Sequence, residues 1–191
     1  ASCICQGVAL TANATISVLL EGAYDAGTGL MRDDLRAAGL IPLTEPYSAL
    51  GYSFVNGGGG EVLDASLLTA TGPSALVDWV VLELRSSADP ATIVASRAGL
   101  VRRDGIIVTY FGSTFFSFAV PPSFYYVAVR HRNHLGCMTA APVSLGPLPV
   151  GVDLRTSTTL AYGGPAARKT IGSVVALWAG DVTFNGQVKY T

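Results

Sequence analysis

Both histidines of the chain fall within one five-residue run, Arg130, His131, Arg132, Asn133 and His134, which also holds two of its twelve Lys and Arg. Imidazoles at neutral pH serve as acid, base or metal ligand, and Asp78, Glu83 or Asp104 are carboxylates able to orient one of them. Arginines in turn hold carboxylates through paired hydrogen bonds. The run therefore reads either as a reactive site or as a polar latch between neighbouring segments. Histidines flanked by arginines on a strand more often make structural hydrogen bonds, so the latch is the expectation. No Gly-x-Ser-x-Gly elbow, phosphate loop, His-Glu-x-x-His pair or dinucleotide fingerprint accompanies the run. Asn56 to Gly60 lacks the Lys and helix of a phosphate loop, and Asp33 and Asp34 are adjacent on a helix and face different ways. The chain is accordingly expected to have no catalytic residues.

The run must be positioned by the strand before it. Tyr125, Val127 and Val129 alternate with Tyr126, Ala128 and Arg130, the period of two that marks a strand with unlike faces. Pro121 and Pro122 bar a regular ladder ahead of it, and Asn133 to Gly136 offers a turn after it. Asp78 to Arg85 is the strongest strand elsewhere, apolar on both faces and so a central strand of a sandwich. Val8 to Glu21 alternates through Ala14, Ile16, Val18 and Leu20 as one long or two short strands. Asp104-Gly105 marks a hairpin, Thr92 to Arg103 and Phe115 to Val120 read as strands, and Val152 to Thr159 reads as another. Only Met31 to Gly39 looks helical, with Asp33 and Asp34 at its start and Gly39 to cap its end. Many short strands with turn residues between them predict an all-β protein. The architecture expected is an antiparallel β-sandwich, Ig-like or jelly-roll-like, with one short helix near 31–39. No composition break divides residues 1–191, so one domain is expected.

Only 13% of the residues are charged and the net charge is -1, while half are hydrophobic; globular proteins carry about 25% charged residues. Weakly charged surfaces associate, so a homo-oligomer, and in particular an open polymer, is expected. Twelve Lys and Arg scattered among thirteen acids form no basic stripe, which argues against nucleic acid. No apolar run reaches the roughly 20 residues of a membrane-spanning helix. The small residues of the opening ASCIC suit a processed N-terminus, and export is the expectation. A bond from Cys3 or Cys5 to Cys137 would tie the N-terminal strand to the Arg-His segment and leave one thiol over. Three buried, reduced cysteines are the alternative.

Three segments carry a resemblance: LLEGAYDAGTGLMRDDLRAAGLIPLTEPYSALGY, VDWVVLELRSSADPATIVASRAGLVRRDG and FYYVAVRHRNHLGCMTAAPVSL. Together they resemble a domain of secreted and surface proteins of environmental bacteria, often at the C-terminal end of very large adhesin-like chains. The resemblance covers roughly Leu19 to Thr191 and is most specific at RHRNHLG. It implies an exported, non-enzymatic module. In that family the tail is similar to a dockerin-like calcium loop, and the matching residues here are Asp181, Thr183, Asn185, Gly186 and Gln187. Calcium loops need oxygens at positions 1, 3 and 5, a Gly at 6 and a bidentate acid at 12. The first half fits, but only Asp181 is charged, and the twelfth position, where the bidentate acid is needed, falls one residue past Thr191. A turn at Asn185-Gly186 before a last strand is therefore the preferred reading of 181–191, with no cofactor required.

Taken together, these readings give an extracellular structural subunit of a cell-surface filament or sheath, assembled by strand exchange between copies. The candidate exchanged strand is either residues 1–20, with Val8, Leu10, Ile16, Val18 and Leu20 as its apolar side chains, or the C-terminal Gln187 to Thr191. The alternative is an adhesion or carbohydrate-binding module, with Tyr24, Tyr47, Tyr52 and Trp178 offering rings to a glycan.

Overall fold

The computed structural model describes residues 11–181. The described strands are β1 (Ala12–Ser17), β2 (Tyr24–Asp25), β3 (Leu30–Met31), β4 (Leu76–Ser86), β5 (Ile93–Arg102), β6 (Ile107–Val108), β7 (Phe116–Phe118), β8 (Ser123–His131), β9 (His134–Met138), β10 (Val143–Leu145), β11 (Val150–Asp153), β12 (Lys169–Ile171) and β13 (Val174–Ala176). A single α-helical turn, α1 (Asp34–Ala37), lies among them. The protein is an all-β sandwich. No described helix is long and apolar enough to cross a membrane.

The larger sheet runs β10-β8-β4-β5-β6, with β9 pairing β8 beyond β10 on the same edge; the smaller runs β11-β1-β7. Side chains Val80, Leu82 and Leu84 of β4 and Val127 and Val129 of β8 meet Ala12, Ala14, Ile16 and Val18 between the sheets. The opposite face of β4 is apolar as well, because a second cluster lies there. Trp79, Val81, Ala98 and Leu100 are covered by Ile41, Tyr47 and Leu63 from the long 32–75 connection. Trp79 is fully buried, its indole N–H donating to the Pro42 carbonyl at 2.8 Å, and the Tyr47 hydroxyl donates to the Trp79 carbonyl at 2.7 Å. The apolar run of β4 thus reflects burial on two sides, by a sheet and by a loop.

One pairing departs from the antiparallel expectation. β1 runs parallel to β11, Ala14 opposite Val150, and antiparallel to β7, Ala12 opposite Phe118. No short turn joins β1 to either neighbour, so no hairpin dictates its direction. Two further seams close the sandwich. Ser17 bridges Ile106 near the start of β6, and the segment after β13 bridges both Leu20 and His134, through Leu177 and Ala179.

Local signals held where turn chemistry was explicit. Gly39, at φ +68, ends α1 with its N–H on the Arg36 carbonyl and the Leu40 N–H on the Leu35 carbonyl, the paired bonds of a Schellman cap. Asp104 accepts from the Ile106 N–H at 3.0 Å in the β5–β6 turn. The strand expected over Val152 to Thr159 stops at Asp153. Arg168 instead gathers the carbonyls of Leu154, Thr156 and Thr159 around its guanidinium. Close approach of the sheets fixes Gly99, where a Cβ would lie 2.8 Å from Phe116 Cζ and 2.9 Å from Ile107 Cγ2. Gly99→Ala is expected to destabilise by about 1–3 kcal/mol through overpacking, read as a lower urea midpoint at unchanged slope.

Candidate functional site

Residues of β4 and β8 with inward-facing side chains converge where the sandwich closes. Asp78, on the face of Val80 and Leu82, and His131, on the face of Val127 and Val129, are 3% and 2% exposed. His131 Nε2 lies 3.1 Å from Asp78 Oδ2. Arg132 Nη2 donates to both Asp78 oxygens, at 2.9 and 2.8 Å, and the Trp79 N–H donates to Oδ1 at 2.8 Å. The β8–β9 turn then folds His134 back, with its Nδ1 2.9 Å from His131 Nδ1, which also accepts from the Asn133 N–H. At the far end the Gly22 N–H donates to His134 Nε2 at 3.2 Å.

These donors fix the tautomers. His134 Nε2 accepts from Gly22, so its proton sits on Nδ1 and is donated to His131 Nδ1. His131 must then carry its proton on Nε2 and donate it to Asp78. Every ring nitrogen and both carboxylate oxygens are engaged. Burial alone would raise the Asp78 carboxyl, but the His131 hydrogen bond and the Arg132 charge hold it below the usual carboxylate value. Burial drives His134 the other way for a base, down to about 3, with His131 adding to the effect and Asp78 opposing it.

A cleft of about 280 Å³ borders the chain of bonds, lined by Leu20, Gly22, Arg32, Asp34, Asn133 and the three linked side chains among others. It offers no Ser, Thr or Cys as a nucleophile. No imidazole nitrogen is left over to accept a substrate proton. What the geometry does is join four segments: β4, the β8–β9 hairpin, the turn at Gly22, and the segment after β13 at Ala179, whose N–H donates to Glu21 Oε2.

Of the residues expected to cluster, His131, Arg132 and His134 meet on Asp78. Arg130 does not join them, because strand alternation sends it to the opposite face. There Glu83, fully buried, accepts from the Tyr52 hydroxyl at 2.8 Å and from Arg85 Nε at 2.7 Å, with Arg130 Nη1 at 3.6 Å. Asp104, an alternative carboxylate, pairs with Arg102 instead. Sequence reasoning missed Gly22, the Trp79 N–H and the Tyr52–Glu83–Arg85 group. For the last a signal existed: a carboxylate inside the apolar DWVVLELR must find donors.

The other candidates are dispersed. Ile16, Val18 and Leu20 lie in the core of their own chain, while Val8 and Leu10 fall outside the described residues. Cys137 is buried, and burial pushes its thiol up to about 12; Cys3 and Cys5 lie outside the described residues. Asp181 is buried, and Thr183, Asn185 and Gln187 of the calcium reading also lie outside them. Among the described residues no group of three or more His, Cys, Asp or Glu is placed to hold a metal ion. Of the rings proposed for a glycan, Tyr47 is fully buried, Tyr52 is bonded to Glu83, and Trp178 lies under Lys169, its N–H donating to the Ala166 carbonyl. No protein-family model, no curated protein and no solved structure matches the chain.

Proposed function

We propose that the chain is a non-enzymatic structural subunit, exported and assembled on the cell surface into an open filament or sheath by exchange of its N-terminal strand segment. The observation that carries this reading is the surface. A chain with 13% charged residues also leaves Leu40, Leu43, Leu50, Phe111, Phe124, Leu148, Leu160 and Tyr162 about half exposed or more. Large apolar side chains displayed on so weakly charged a surface favour association between copies. The place of β1 adds support. It is the middle strand of the smaller sheet, held between β7 and β11, which lie a hundred residues or more along the chain. Contacts between unlike surfaces of successive copies give fibres wherever their rotation does not close into a ring. In this reading β1 anchors its own subunit, and the residues ahead of it reach the next.

Removal of residues 1–10 is expected to abolish filaments while leaving a folded monomer, because β1 and the described core are retained. Negative-stain electron microscopy and sedimentation of the variant beside the wild type provide the check. Filaments from the deletion variant would move the donor away from the N-terminus. Dispersed wild-type monomers that shift on adding a glycan would favour the adhesion or carbohydrate-binding reading.

A further inference from the structure

We propose that the outer edge of β7, with the apolar groove beside it, is the seat for residues 1–10 of the next copy. This rests on the strand-exchange reading and names its acceptor. β7 ends the smaller sheet: β1 covers its inner edge, and among the described residues no strand pairs with its outer edge. Exposed edges are ordinarily guarded by shortness, Lys, Pro or a bulge, and the three residues of β7 have only the first, short length. Residues 115–118 read Phe-Phe-Ser-Phe and carry no Lys or Pro. The groove of about 330 Å³ alongside is lined by Ala98, Tyr110, Phe111, Phe115, Phe116 and Ser117, among others. Phe111 is 57% exposed and Phe115 39%, side chains that a monomer gains nothing by displaying.

The occupant follows from the chain itself. Residues 1–10, ASCICQGVAL, contain no charged side chain and alternate, with Ile4, Val8 and Leu10 on one parity and Cys3 and Cys5 on the other. They lead into β1 at Ala12, which pairs with Phe118 at the end of β7. Ten extended residues span about 33–36 Å, enough to cross to a neighbouring subunit. With β1 seated on its inner edge, β7 has its outer edge left for a donated strand. Laid there, the even parity takes the side of the buried Phe116 and Phe118. The odd parity shares the outward face of Ser117, the exposed residue between buried Phe116 and Phe118.

The full chain carrying Ser117→Cys tests this on a non-reducing gel. The expected result is a covalent ladder of dimers and higher species from intact filaments, abolished when Cys3 and Cys5 are both changed to serine. Filaments without a ladder, or a bond confined to monomers, would overturn this acceptor and leave the polymer reading standing. Wild-type protein that forms no filaments would overturn both. The doubly substituted Phe111→Lys, Phe115→Lys chain is expected to melt like wild type and to form no filaments. Filaments from it would overturn the groove as the seat.

Discussion

Asp78→Ala is expected to destabilise the protein by about 3–5 kcal/mol, the usual cost of removing one partner of a buried ion pair. The carboxylate accepts from Arg132, His131 and the Trp79 N–H. Without it, a largely buried guanidinium, an imidazole N–H and a backbone amide lose their acceptor together, and each orphaned donor costs more than the bond was worth. At about 2–4 °C per kcal/mol for a chain of this size, the melting temperature should fall by roughly 6–20 °C. Asp78→Asn keeps the shape but not the charge and should fall between the variant and wild type. A loss below about 1 kcal/mol for Asp78→Ala would mean that the seam is held by packing alone.

Acid should open the same seam. The folded state holds His134 neutral down to about pH 3, against an ordinary value of 6.5. Because the folded value is depressed, the stability it represents is fully present above 6.5 and is lost as the pH falls toward 3: the unfolded chain takes up a proton that the folded chain refuses. The slope is about 1.4 kcal/mol per pH unit for one proton, so His134 alone should remove about 2 kcal/mol between neutrality and pH 5. Protonation would also turn Nε2 into a donor facing the Gly22 N–H, with no acceptor between them. The surrounding charges, Asp78 and Arg132 within the cluster and Arg32, Asp34 and Glu21 around it, are arranged with both signs and leave the ring no dedicated carboxylate. Denaturant midpoints measured from pH 7.5 to 5 test this. His134→Gln, which keeps an acceptor for Gly22 and does not titrate, should flatten the profile. An equal slope in wild type and His134→Gln would place the acid sensitivity elsewhere.

The sequence made β4 and β8 legible because their alternation survives into the fold: Val127 and Val129 face the smaller sheet and Arg130 faces away, as their parity requires. It made the turn at Gly39 legible because a glycine there satisfies a specific cap. The 32–75 connection was not legible as a layer. Ile41, Tyr47 and Leu63 are spaced by no period, and only the position of Trp79 reveals what they cover. The parallel β1–β11 pair was hidden for a related reason, since partners more than a hundred residues apart leave no local mark. Within the candidate site, the histidines and arginines announced themselves by crowding, but the split between Asp78 and Glu83 depended on strand faces. Gly22, which accepts no role from its own type, became visible only through the lone pair it occupies.

Electron microscopy of the purified full chain at physiological salt, with sedimentation alongside, tests the structural-subunit reading most directly. Regular filaments or sheets that disappear on removal of residues 1–10 are the predicted result. Dispersed monomers of the full chain, at concentrations where its exposed apolar side chains should drive association, would contradict it.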